Sequence, residues 1–157
     1  MTEFERENVE DYPRPPVVEA VTHHITIRLG GALVAETTQA LRVLETFHAP
    51  TYYLPPKDVC ATLRPSPRSS FCEWKGPARY FDVLIGDIIA AGGAWAYDTP
   101  TEEFSELAGY LAFYAGMMDD VWVGNLRGIP QPGDFYGGWV TPNLEGRIKG
   151  APGTRHW

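Results

Sequence analysis

Short runs of alternating residues, each cut off by a turn signal, constrain this chain more than any other feature. Ile25, Ile27 and Leu29 point one way along an extended segment while Thr26 and Arg28 point the other, the pattern of a half-buried strand. Gly30-Gly31 follows as a hairpin turn, and Leu33 to Thr37 supplies the returning strand. The same punctuation recurs. Ala40 to Glu45 is a third candidate, and Thr51 to Leu54 is a fourth, stopped by Pro55-Pro56. Arg79 to Ile85 and Ile88 to Ala91 form a hairpin about Gly86-Asp87, and Trp95 to Tyr97 is a short strand. Tyr110 to Tyr114 and Val121 to Val123 close the set, paired across Asp119-Asp120. One short helix is expected, opening at Thr101 and running to about Leu107. Many short strands with turns every 8–12 residues or so predict an all-β barrel or sandwich, mainly antiparallel, with at most one short helix.

Composition supports that class and removes others. The 157 residues include 16 glycines and 14 prolines, about 19% of the chain against a usual total of roughly 12%. A chain of this length buries enough surface to need no disulfide or metal staple. Thirteen basic against twenty acidic residues, a net charge of −7, argue against a general nucleic-acid binder, which needs a basic footprint. The longest apolar stretch, around Val83 to Ala91, is broken by Gly86 and Asp87, so no membrane span is expected. The acidic N-terminus lacks the order of a signal peptide, and two cysteines, Cys60 and Cys72, are too few for a disulfide framework. The expectation is a cytoplasmic protein with two reduced thiols.

The chain divides into three parts. Residues 1–20 are polar and proline-bearing and read as an extended arm. Residues 21–123 carry nearly all the periodicity and form the β domain. Residues 124–157 hold eight glycines and four prolines, yet also Phe135, Tyr136, Trp139 and Trp157, which a free linker would not carry. They read as an irregular segment packed over the domain.

Three stretches then stand out together: Tyr52-Tyr53-Leu54-Pro55-Pro56-Lys57-Asp58-Val59, Ser70-Phe71-Cys72-Glu73-Trp74-Lys75-Gly76-Pro77-Ala78-Arg79-Tyr80, and Ala94-Trp95-Ala96-Tyr97-Asp98-Thr99-Pro100 with Gly109-Tyr110-Leu111-Ala112-Phe113-Tyr114 beyond it. Their order and spacing resemble the bacterial and fungal family catalogued as domain of unknown function 427. The tail, Phe135 to Thr141 and Lys149 to Thr154, resembles an actinobacterial and cyanobacterial branch of it. Two departures are visible: Glu73 stands where many members have Pro, and Cys60 where a basic residue is common. The resemblance implies a small antiparallel, barrel-like fold of Mss4-like shape and no established reaction. The family also carries a nucleotidyltransferase-like label, whose chemistry would want an Asp-x-Asp pair for Mg²⁺. Here the only adjacent aspartates are Asp119-Asp120, which point to opposite faces of an extended segment.

Candidate chemistry centres on Cys72-Glu73-Trp74-Lys75-Gly76. A turn closed by Gly76 can bring the Lys75 ammonium to the Cys72 thiol, making Cys72 a nucleophile, or else Cys72 is a buried small hydrophobe behind the turn. Lys75 has a second use, holding a carboxylate or phosphate, or acting itself as an acid, a base or a Schiff-base amine. Tyr53, Trp74, Trp95 and Tyr97 would then wall an apolar pocket, unless they are simply core. Asp58 either caps the turn after Pro55-Pro56 or pairs with Lys75 at the pocket floor. The expected ligand-binding set is therefore Tyr53, Asp58, Cys72, Trp74, Lys75, Trp95 and Tyr97, with Cys72, Lys75 and Asp58 the candidates for any catalysis.

The remaining candidates are weaker. His23 and His24 are adjacent in a strand and face opposite sides, His48 sits alone ahead of Pro50, and His156 is near the terminus, so no metal site is expected. Ser66, Ser69 and Ser70, with Arg64, Arg68 and Lys57 nearby, lie in a stretch without a nucleophile elbow and read as a solvated basic loop. No cofactor is implied, and nothing in the sequence sets an oligomeric state. Three functions remain open: a pocket for a small molecule or anion, an enzyme using Cys72 or Lys75 in the same place, and a protein-interaction module presenting Phe135, Tyr136 and Trp139.

Overall fold

The computed structural model describes residues 4–133 and 136–151. In chain order its strands are β1 (Glu7–Asn8), β2 (Val17–Ala20), β3 (Ile25–Leu29), β4 (Ala32–Thr37), β5 (Leu41–Leu44), β6 (Thr51–Tyr53) and β7 (Thr62–Cys72). They continue with β8 (Gly76–Ile85), β9 (Ile88–Ala96), β10 (Leu111–Phe113), β11 (Asp120–Val123), β12 (Leu126–Pro130), β13 (Trp139–Val140) and β14 (Leu144–Glu145). The fold is all-β. Its longer helical segment, Glu102–Leu107, starts after Thr101 as the sequence predicts and is two 3-10 turns joined by a kink at Phe104. The other helical pieces, Val9–Asp11, Pro56–Asp58 and Ala115–Met117, are single 3-10 turns.

The alternation of β3 is realised directly: Ile25, Ile27 and Leu29 are buried while Thr26 and Arg28 face outward. β3 lies in a five-stranded sheet of order β13-β12-β11-β3-β4. A second sheet, β10-β9-β8-β7, stacks against it, and a third, β2-β5-β6, covers the other side. These ladders are antiparallel, and among the described residues only the short β1–β14 pair is parallel.

The middle sheet positions the site because both of its faces are buried. Val83, Ala90, Ala94, Ala96, Leu111 and Phe113 join β3, β4 and β11 in one core cluster. Their neighbours Ala78, Tyr80, Trp95, Tyr97 and Ala112 point the opposite way, onto Val43 and Tyr53 of the third sheet. Strand periodicity thus sends Tyr80 and Trp95 to one side of the sheet and Val83, Ala94 and Ala96 to the other.

Several expectations are corrected. Among the described residues no ladder closes a barrel; the sheets remain open and stacked. The edge strand β7 carries Pro65 and Pro67, which lack the N–H that closure would need, and its register breaks between Pro65 and Ser69. The stretch read as a solvated basic loop is therefore most of a strand, tolerated at an edge where prolines cost little. Trp95 to Tyr97 is not a separate strand: β9 runs through Gly92-Gly93 to Ala96. Tyr110 to Tyr114 and Val121 to Val123 do not pair with each other, since β10 joins β9 while β11 joins β3 and β12.

The arm is tied down as well, β2 pairing with β5 and Val9 being fully buried. The tail contributes β12, β13 and β14, and Trp139 is 1% exposed. Phe135, His156 and Trp157 lie outside the described residues.

Candidate functional site

The Cys72 to Gly76 motif is a β-hairpin loop. Cys72 and Gly76 are paired across β7 and β8, leaving Glu73, Trp74 and Lys75 as the connection. Gly76 closes it at φ +103°, a backbone conformation that a side chain would strain. Thr101 clamps the loop from the helical segment: its Oγ1 donates to the Trp74 carbonyl at 2.6 Å and its N–H to the Lys75 carbonyl at 3.1 Å.

Behind this loop lies a cavity of about 220 Å³. Tyr53, Cys72, Trp74, Lys75, Trp95 and Tyr97 all line it, so six of the seven residues expected at the site converge. Asp58 does not. Its Oδ2 accepts the Thr37 hydroxyl at 2.7 Å, and no Asp58–Lys75 ion pair forms. Asp58 ends the Pro56–Asp58 turn, and β4 supplies Thr37 as its partner there; neither lines the cavity.

Lys75 is 8% exposed. Its Nζ stands 5.8 Å from the centre of the Tyr97 ring and 5.7 Å from that of Phe104. No carboxylate among the described residues pairs with it. The wall beside it is phenolic. Burial, and then the Tyr97 hydroxyl, push the Tyr53 phenol well above the ordinary tyrosine range. Burial and the neighbouring Cys72 thiol do the same for Tyr97. Burial and a hydrogen bond with Tyr80 raise Tyr114, whose ring lies 4.5 Å from Trp95. Ser70 Oγ extends the chain to Tyr80 at 3.0 Å. The Tyr53, Tyr97 and Tyr114 phenols stay protonated at any physiological pH and serve as hydrogen-bond donors or acceptors.

Sequence reasoning missed much of the rest of the lining. Glu45, His48, Gln131, Tyr136, Gly137 and Lys149 complete the cavity. They come from four separated stretches; Tyr136, Gly137 and Lys149 lie in the tail motifs, but nothing in the sequence links those to Glu45, His48 and Gln131 before the tail packs. Burial, with Lys149, Lys75 and Arg14 nearby, lowers His48 to about 4. Gly137 lies against the Trp95 ring so closely that a Cβ would collide with it. Trp139, expected to face a partner, is instead buried against Tyr52, with its Nε1 donating to the Phe113 carbonyl at 3.0 Å.

Cys60 is exposed and Cys72 half-buried, both free. Among the described residues no group of three or more His, Cys, Asp and Glu side chains is placed to hold a metal ion. Asp119 and Asp120 are engaged separately, Asp119 by the Gly31 N–H at 2.8 Å and Asp120 by Trp122 Nε1 at 3.1 Å. No helix among the described residues is long and apolar enough to cross a membrane.

No curated protein matches the chain. Residues 17–124 match the family model described as Domain of unknown function (DUF427), which carries a nucleotidyltransferase-type short name. That match spans over two-thirds of the sequence and includes the hairpin loop and both aromatic strands of the cavity, and the chain belongs to the DUF427 family.

Proposed function

We propose that this domain binds a small anion, a carboxylate or phosphate carried on a planar body, in the cavity behind the Cys72–Gly76 loop. The observation that supports the reading is Lys75, an ammonium with little solvent and no acid beside it, opening on a cavity. Buried charges are ordinarily paired, and an unpaired one is satisfied when a counter-charge enters. Lys149 lines the same cavity without an ion pair among the described residues. Glu45 and Glu73 also line it, but Glu73 is exposed on the loop and Glu45 stands beside His48, which leaves Lys75 as the charge nearest the aromatic interior. A volume of about 220 Å³ suits a single-ring compound, and indole and phenol faces suit its plane.

The test is a titration with benzoate and, separately, inorganic phosphate, followed by the fluorescence of Trp74 and Trp95 and by NMR of the lysine side chains. Lys75→Met keeps the apolar stem and removes the charge. Binding by the native protein that weakens at least tenfold in this variant is the expected result. Neither anion binding, or equal affinity in the variant, would overturn the reading.

A second reading, an enzyme acting through Cys72, is favoured by that thiol lining the same cavity beside Tyr53 and Tyr97. Its alkylation rate against pH separates the two. A midpoint near the ordinary thiol value of about 8.5 leaves a binding site, and a much lower one an activated nucleophile. The compartment in either reading is the cytoplasm, supported by two free cysteines.

A further inference from the structure

The cavity lining also holds His48, and its protonation state follows from geometry. Gln131 is 2% exposed, and its amide is fixed at both ends. Its Oε1 accepts the Ala49 N–H at 3.1 Å, and its Nε2 donates to the Lys149 carbonyl at 3.0 Å. Turning the amide over would set an NH₂ against an N–H and an oxygen against a carbonyl, losing both bonds. The second N–H of Gln131 Nε2 therefore meets His48 Nδ1, 3.1 Å away. Only an unprotonated Nδ1 can accept it.

We infer that Gln131 locks His48 as the neutral Nε2–H tautomer, so that the ring presents a fixed, uncharged hydrogen-bond donor to the anion of the cavity. The donor role rests on the binding reading above, whereas the lock does not. The groups facing the ring agree with it. Lys149, Lys75 and Arg14 act on it as cations, and with burial they oppose a second proton. The Tyr136 ring meets its edge at 5.0 Å. Glu45 Oε2 lies 3.8 Å from Nε2, beyond hydrogen-bond length, so the N–H is left to the cavity. A site built from two lysines and a neutral donor takes a carboxylate with the same affinity wherever the ligand stays ionised. A site using an imidazolium would lose affinity as pH rises through the histidine range.

Side-chain ¹⁵N NMR of the ligand-free native protein tests the lock. A pyridine-type Nδ1 and a pyrrole-type Nε2, unchanged from about pH 8 to pH 5, are expected. A protonated Nδ1 at neutral pH would overturn the inference. Benzoate titrations test the donor role. Affinity should be flat over the same pH range, fall about tenfold in His48→Leu and largely recover in His48→Gln, which restores an N–H near the Nε2 position. Native affinity in His48→Leu would overturn that role. A native protein with the expected tautomer that binds neither benzoate nor phosphate supports the lock and removes the binding reading instead.

Discussion

Replacing Trp139 by Phe tests whether the tail belongs to the core. The indole is 1% exposed, lies 5.0 Å from the Tyr52 ring and donates its N–H to the Phe113 carbonyl. Phenylalanine keeps a ring there and removes the donor. The stranded carbonyl, on a fully buried residue, costs about 1–3 kcal/mol. The lost part of the bicyclic ring, on the order of 40 Å² of apolar surface, adds about 1 kcal/mol. A total of about 2–4 kcal/mol is a large share of the roughly 5–15 kcal/mol that holds a domain folded. At about 2–4 °C per kcal/mol for a chain of this size, the melting temperature should fall by about 4–16 °C. Urea denaturation should show a lower midpoint with an unchanged slope. A loss below about 0.5 kcal/mol would mean that the tail is surface cover and that the Trp139–Phe113 bond contributes nothing, which would refute the reasoning.

Three further outcomes are expected. Deleting residues 124–157 removes β12, β13 and Gln131 together with Trp139, so the product should lack the dispersed NMR spectrum of a folded domain; a folded truncation would contradict the role given to the tail. Gly137→Ala forces Trp95 to move, costing about 1–3 kcal/mol by overpacking and shifting tryptophan fluorescence, and native stability and emission would show that the close approach is absent. Folded His48 takes up its proton only near pH 4 and the unfolded residue near 6.5, so stability falls as pH drops through that window, by about 2 kcal/mol between pH 7 and pH 5. Chemical denaturation at those two pH values should show this fall, and His48→Gln should lose most of it; an equal fall in both proteins would sink the assignment.

The parts of the fold legible in the sequence are those set by local rules. Ile25, Ile27 and Leu29 declare their buried face by alternation, and Gly30-Gly31 declares the turn. The loop from Cys72 to Gly76 was visible as a motif, as was the convergence of Tyr53, Trp95 and Tyr97. What was hidden depends on long-range pairing. Nothing near Tyr110 or Val121 shows that β10 and β11 belong to different sheets, since that choice is made by β9 and β3. Pro65 and Pro67 looked like loop residues because their sequence does not reveal that β7 is an edge. His48 looked isolated because its partners, Gln131 and Lys149, arrive from a glycine-rich segment with no strand periodicity.

Lys75 separates what the fold needs from what the cavity needs. Its backbone is held by the Cys72–Gly76 pairing, by the turn at Gly76 and by Thr101, none of which involves the ammonium. Its stem could pack on Tyr97 and Phe104 equally well as methionine. The charge itself gains two ring contacts at 5.7 and 5.8 Å, near the outer limit of about 6 Å, and such contacts are worth about 0.5–1 kcal/mol apiece unless fully desolvated. Against them stands the partial desolvation of a residue only 8% exposed, with no acid among the described residues to compensate it. Folding alone thus favours an apolar residue at this position. A fold that nonetheless holds a cation on the wall of a phenol-lined cavity sacrifices stability there, as functional sites commonly do. An anion bound as proposed would recover that free energy, because the same desolvation that penalises the site without it strengthens the attraction for a counter-charge.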